Sequence, residues 1–114
     1  MKKIQLIEKQ IASANDSVRI SEELDRNYSR LEGISFLDNI GNAHTLNSFS
    51  VDGREVLPKG FEVLFLQSSS NVSPKQRFFP IEEKAAGNKL EIDFQDGGDA
   101  PSYPYTLNIY LALS

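Results

Sequence analysis

Strict alternation of apolar and polar side chains constrains this chain more than any other feature. In YTLNIYLAL (105–113), Tyr105, Leu107, Ile109, Leu111 and Leu113 alternate with Thr106, Asn108, Tyr110 and Ala112. Successive side chains of a β-strand point to opposite faces, so this segment reads as a strand with one apolar face. Leu90, Ile92 and Phe94 alternate in the same way with Glu91, Asp93 and Gln95, ahead of the Gly97-Gly98 break. Val18 and Ile20 alternate with Arg19 and Ser21 until Asp25-Arg26-Asn27, and Ile34 and Phe36 run from Gly33 to a loop over residues 38–42. Phe49 and Val51 lead into Asp52-Gly53, a strong hairpin signal.

Two segments read less simply. Ile4, Ile7 and Ile11 sit at helical spacing, whereas Ile4 and Leu6 fit a strand, so residues 1–15 are expected to form an N-terminal arm or edge strand. In FEVLFL (61–66), Phe61, Val63 and Phe65 alternate with Glu62, Leu64 and Leu66, giving a strand apolar on nearly both sides. A two-layer sandwich leaves its outer sheet faces to water. Leu64 and Leu66 are therefore candidates for a subunit contact, the alternative being a loop or the N-terminal segment folded over them. SSSNVSPK (68 to 75) reads as an exposed loop. The expected fold is all-β: a single antiparallel β-sandwich over residues 16–114, an eight-stranded jelly roll by strand count and turn spacing.

Composition enters as a set of exclusions. A chain of 114 residues supports one core, and with no cysteine there is no disulfide, thiolate metal site or cysteine nucleophile. Gln5, Glu8, Lys9 and Gln10 interrupt any apolar signal-peptide region, and no run approaches the ~20 apolar residues of a membrane span. Asn-x-Ser sequons at Asn15, Asn27 and Asn71 are read as chance matches. The net charge of −4 arises between Glu82 and Asp99, where six acids face Lys84 and Lys89, and no basic stripe suggests nucleic acid.

Chemistry is sparse. His44 is the only histidine and is read as a solvated loop residue. Asp93, Asp96 and Asp99 lie close together, yet D-x-x-D-G-G-D matches no EF-hand loop and reads as a solvated acidic hairpin end. No GxSxG elbow or phosphate-binding loop occurs. Tyr103, Tyr105 and Tyr110 could form a sugar-stacking platform, but alternation puts Tyr105 and Tyr110 on opposite faces. No catalytic residue, cofactor or metal is assigned.

In layout, DSVRISEELDRNYSRLEGISFLDN, SVDGREVLPKGFEVLFLQ, VSPKQRFFPIEEKAAGNKLEIDFQD and YTLNIYLAL resemble the small jelly-roll proteins of bacteriophage virions. Capsid or vertex components of the tailless, membrane-containing type are the most similar, over residues 16 to 113. The resemblance implies a non-enzymatic minor capsid, penton, spike-base or cementing protein, located in the virion, with itself and other virion proteins as partners. Leu64, Leu66, Ile4, Ile7 and Ile11 would then be subunit-interface candidates. The alternative is a monomeric carbohydrate- or protein-binding module, cytoplasmic if no phage is involved.

Overall fold

The structure is a computed structural model that describes residues 2–68 and 78–114. Among these, ten strands appear in chain order: β1 (Lys3–Ile11), β2 (Ser17–Glu23), β3 (Arg30–Leu37), β4 (Thr45–Val51), β5 (Arg54–Leu57), β6 (Phe61–Glu62), β7 (Gln67–Ser68), β8 (Phe79–Lys84), β9 (Lys89–Gln95) and β10 (Tyr105–Leu113). One sheet runs β1-β10-β3, with β7 and β8 both pairing with β3; the other runs β2-β9-β4, with β5 and β6 both pairing with β4. Every pairing is antiparallel except the two-residue contact of β3 with β7. The molecule measures 36 × 32 × 21 Å, a thickness that fits two sheets packed about 10 Å apart.

Alternation places the core as the sequence leads one to expect. Leu90, Ile92 and Phe94 of β9 are fully buried, as are Leu107, Ile109, Leu111 and Leu113 of β10. Phe36 of β3 stacks on Phe94 with ring centroids 6.5 Å apart, so the two sheets meet through aromatic as well as aliphatic packing. Each such side chain taken from water contributes roughly 1.5–3 kcal/mol. Asp52 and Gly53 both adopt positive φ (53° and 76°), the two-residue arrangement that suits the right-handed twist of the β4–β5 hairpin. At the ambiguous N-terminus, strand wins: β1 is an edge strand paired along its whole length with β10, and its Ile7 and Ile11 enter the core.

FEVLFL departs from the expected strand. Phe61 and Glu62 pair with Leu46 and Thr45, and Thr45 is the first residue of β4. Beyond it the partner strand has ended, so no ladder can continue. The Val63 N–H closes onto the His44 carbonyl (3.0 Å), and Val63–Leu66 wind into a 3-10 turn. The chain thereby crosses between the sheets, and Gln67 pairs with Phe36 of β3. In a 3-10 turn side chains three apart share a face. Val63 and Leu66 accordingly point inward, while Leu64 and Phe65 face solvent. The loop expected over 68 to 75 lies, apart from Ser68, outside the described residues.

Candidate functional site

Three connections meet at one end of the sandwich: the β1–β2 turn, the β3–β4 loop and the β9–β10 loop. Asp96, immediately after β9, ties two of them together. Its Oδ2 accepts hydrogen bonds from the Asn15 N–H (2.8 Å), the Gly98 N–H (2.9 Å) and the Tyr103 hydroxyl (2.7 Å), and its Oδ1 accepts one from the Tyr105 hydroxyl (2.6 Å). His44, from the β3–β4 loop, lies beside it, with Nδ1 3.3 Å from Asp96 Oδ1. The Gly97 N–H donates to Nδ1 (2.9 Å) and Nε2 contacts the Ile40 carbonyl, partners that assign the ring proton to Nε2. Asp99 completes the arrangement by accepting from the Asn42 and Ala43 N–H groups (2.9 and 3.2 Å).

The expectation of solvation at this end is corrected for His44 and Asp96, while Asp99 is exposed as expected. His44 is completely buried, in ring contact with Phe94 (5.4 Å) and Tyr105 (6.0 Å), and Asp96 is only 1% exposed. A buried carboxylate is tolerable only when its oxygens are satisfied, and this one has four donors. Its burial works against ionisation. The bonds from Tyr105, the Asn15 N–H, Tyr103 and the Gly98 N–H outweigh that and hold the carboxyl below its ordinary range. Burial, then the bond to Asp96, pushes the Tyr105 hydroxyl well above the usual phenol range, and Tyr103 moves the same way. The Asn42 N–H, against a smaller effect of burial, draws Asp99 downward.

Close approach makes the arrangement specific to its backbone. A Cβ on Gly97 would stand 2.2 Å from the Ala43 carbonyl oxygen, and one on Gly41 2.6 Å from Asp99 Oδ1. Among the described residues every buried side-chain nitrogen and oxygen has a partner, and no three His, Asp or Glu side chains form a metal-holding group. Asp93 stays apart from Asp96, on the outer side of β9, accepting from Ser17 Oγ (3.1 Å). With His44 enclosed and Asp96 saturated, the centre of this cluster pins loops, and Asp99, its side chain 41% exposed, is its outermost carboxylate.

The surface offers more. Among the described residues four large apolar side chains are well exposed: Ile4 (49%), Leu6 (45%), Leu64 (47%) and Phe65 (66%). Ile4 stands opposite Ala112 and Leu6 opposite Tyr110 on the outer face of the first sheet; Ala112 in turn neighbours Gly33, where an added Cβ would meet Phe78 at 2.8 Å. Ile4 and Leu6 thus form an exposed apolar pair on the edge strand, beside half-buried Tyr110, whereas Ala112 is buried. Leu64 and Phe65 form a separate patch, with Phe65 against Phe61 and Phe61 edge-on to Phe79. Of the five side chains singled out in the sequence, Ile4 and Leu64 thus lie on the surface, on different patches. Ile7, Ile11 and Leu66 belong to the core.

Leu6, Tyr110 and Phe65 complete these patches, and the sequence named none of them as an interface candidate. Leu6 was legible from β1 alternation alone; Phe65 was not, because its exposure follows from the 3-10 turn. Comparison with family models, with curated proteins and with solved structures finds no match in any of the three. Among the described residues no helix is long and apolar enough to cross a membrane.

Proposed function

We propose that this chain is a non-enzymatic assembly protein, a jelly-roll building block of a homo-oligomeric particle of the phage minor capsid, penton or spike-base type. The observation that carries the reading is the exposed apolar pair Ile4 and Leu6, beside half-buried Tyr110, on an outer sheet face, where a two-layer sandwich would otherwise be polar. Strand order supports the jelly-roll form. With the two-residue β6 and β7 set aside, eight strands remain, and the first pairs with the last, β1 with β10. The same nesting continues inward through β2–β9, β3–β8 and β4–β5. A long antiparallel ribbon folded over on itself has this pairing. The phage assignment rests on the sequence resemblance.

Absolute mass by size-exclusion chromatography with light scattering tests it. A stable oligomer of the 12.8 kDa chain, lost when Leu6→Lys is introduced, is the expected result; a monomer at every accessible concentration overturns it. A second reading, a monomeric binding module, draws on a groove of about 310 Å³ between β5 and β8. Leu57, Phe79 and Ile81 line it, with Arg54, Glu82 and Glu83 among its polar lining. That reading calls for a ligand-dependent rise in melting temperature from a monomeric protein.

A further inference from the structure

Among the described residues β1 is the edge strand of the first sheet, nine residues long and paired on one side only, by β10. Native edges of that length are usually blunted by charge, bulges or covering segments. The ladder from β1 to β10 has no bulge, and lysines stand at Lys2, Lys3 and Lys9. Lys3 is engaged elsewhere: its Nζ lies 2.6 Å from Asp25. Gln5 likewise turns toward the end of β2, giving its side-chain N–H to the Glu23 carbonyl (3.0 Å) and accepting from the Asp25 N–H (3.1 Å). Ile4, Leu6 and Glu8 remain on the outer face, beside an unpaired edge.

We propose that β1 pairs antiparallel with β1 of a second copy about a two-fold axis through Gln5, joining the two outer sheets into one. This inference rests on the homo-oligomeric reading above and names its contact. Strand alternation requires outer-face residues to meet outer-face residues, so only registers that keep residue parity qualify. With Gln5 on the axis, Ile4 faces Leu6 of the second copy and Lys2 faces its Glu8. Symmetry repeats both pairs, giving two apolar contacts flanked by two opposite-charge contacts. The pairing spans residues 2–8 and leaves Lys9 outside.

Neighbouring registers are worse. An axis at Leu6 sets Ile4 against Glu8 and Lys3 against Lys9. An axis at Ile7 sets Leu6 against Glu8, and one at Glu8 places that residue against itself. Charge complementarity therefore selects one register, and the same register covers the two exposed apolar side chains of β1. Half-buried Tyr110, opposite Leu6, flanks these contacts on each side of the junction.

Because the natural chain has no cysteine, a single introduced thiol reports the axis. Residues facing each other across an antiparallel pair have Cα atoms about 4.5–5.5 Å apart, inside the range a disulfide bridges. Under mild oxidation Gln5→Cys is expected to run as a covalent dimer, with Glu8→Cys, which faces Lys2 instead of itself, remaining a single chain. Charge reversal gives an independent readout, should the thiol variant fold poorly. Lys2→Glu is expected to weaken the native dimer roughly tenfold, with the double variant Lys2→Glu/Glu8→Lys restoring it. Wild-type oligomer with equal crosslinking of both thiol variants, or with no rescue by the double reversal, overturns this register and leaves the assembly reading standing. A wild-type monomer in which Gln5→Cys forms no dimer overturns both.

Discussion

The Tyr105 hydroxyl donates to Asp96 Oδ1 across 2.6 Å, joining the first residue of β10 to the residue that follows β9. The bond closes the β9–β10 loop on itself, and the other Asp96 oxygen fastens the β1–β2 turn through Asn15. Removing the Tyr105 donor by Tyr105→Phe is expected to cost about 1–2 kcal/mol, and Asp96→Asn about 2–4 kcal/mol, because an amide nitrogen would then confront donors that need an acceptor. Urea unfolding of both variants and their combination checks this. The double variant should lose less than the sum of the two, since the residues share one bond.

Acid should act through the same carboxylate. The ordinary value for Asp96 is 3.8, and its folded value lies below that. The stability it supplies is therefore present above pH 3.8 and disappears as the pH falls through the folded value. Asp99 and Asp25 shift in the same direction and add to the acid limb. Unfolding free energy measured from pH 7 downward should stay level and then fall below about pH 4, with a shallower fall in Asp96→Asn. An identical acid limb in that variant would refute the assignment.

Alkali should act in the opposite sense. The ordinary value for Tyr105 is 10.0 and its folded value is higher. Its contribution is full below pH 10 and is lost as the pH rises through the folded value. Phenolate absorbance in the native protein should show a delayed ionisation above pH 10 that shrinks in Tyr105→Phe, where Tyr103 alone supplies it.

Gly97→Ala should be among the most damaging methyl additions in the chain. The new carbon would overlap the Ala43 carbonyl, a backbone atom that cannot rotate away. A loss of about 2–4 kcal/mol is expected, with the β3–β4 loop displaced. Amide exchange would locate the loosening at Asn42 and Ala43, whose N–H groups otherwise bond to Asp99.

The 3-10 crossing inverts a mutational ranking. Strand alternation would place Phe65 in the core with Val63, whereas the turn buries Leu66 and exposes Phe65. Leu66→Ala should cost about 2–4 kcal/mol and Phe65→Ala well under about 1 kcal/mol in thermal or urea unfolding.

These comparisons also show where sequence was legible. β2, β3, β4, β9 and β10 follow from alternation because each has a neighbouring strand along its length, so local period and tertiary pairing agree. FEVLFL carries the same pattern without a partner beyond Glu62, and the missing ladder decides its shape. The polar centre stayed hidden for a different reason. Its members lie 44, 96, 99, 103 and 105 residues along the chain, and only the pairing of Thr45 with Gln95 brings the His44 loop beside the start of the Asp96 loop. Asp96 looked like any acid in a glycine-rich hairpin end; its burial depends on donors from Asn15 and two tyrosines.

β4 has His44 just before it and the Asp52-Gly53 turn just after it, so the two ends of the sandwich differ in kind. At the first, backbone carbonyls and carboxylates stand so close that even a methyl group has no room at Gly97. At the second, a Cβ on Gly53 would meet nothing within 4 Å. A lengthened hairpin or grafted peptide at Asp52-Gly53 therefore meets open space, while the opposite end is locked to its present spelling.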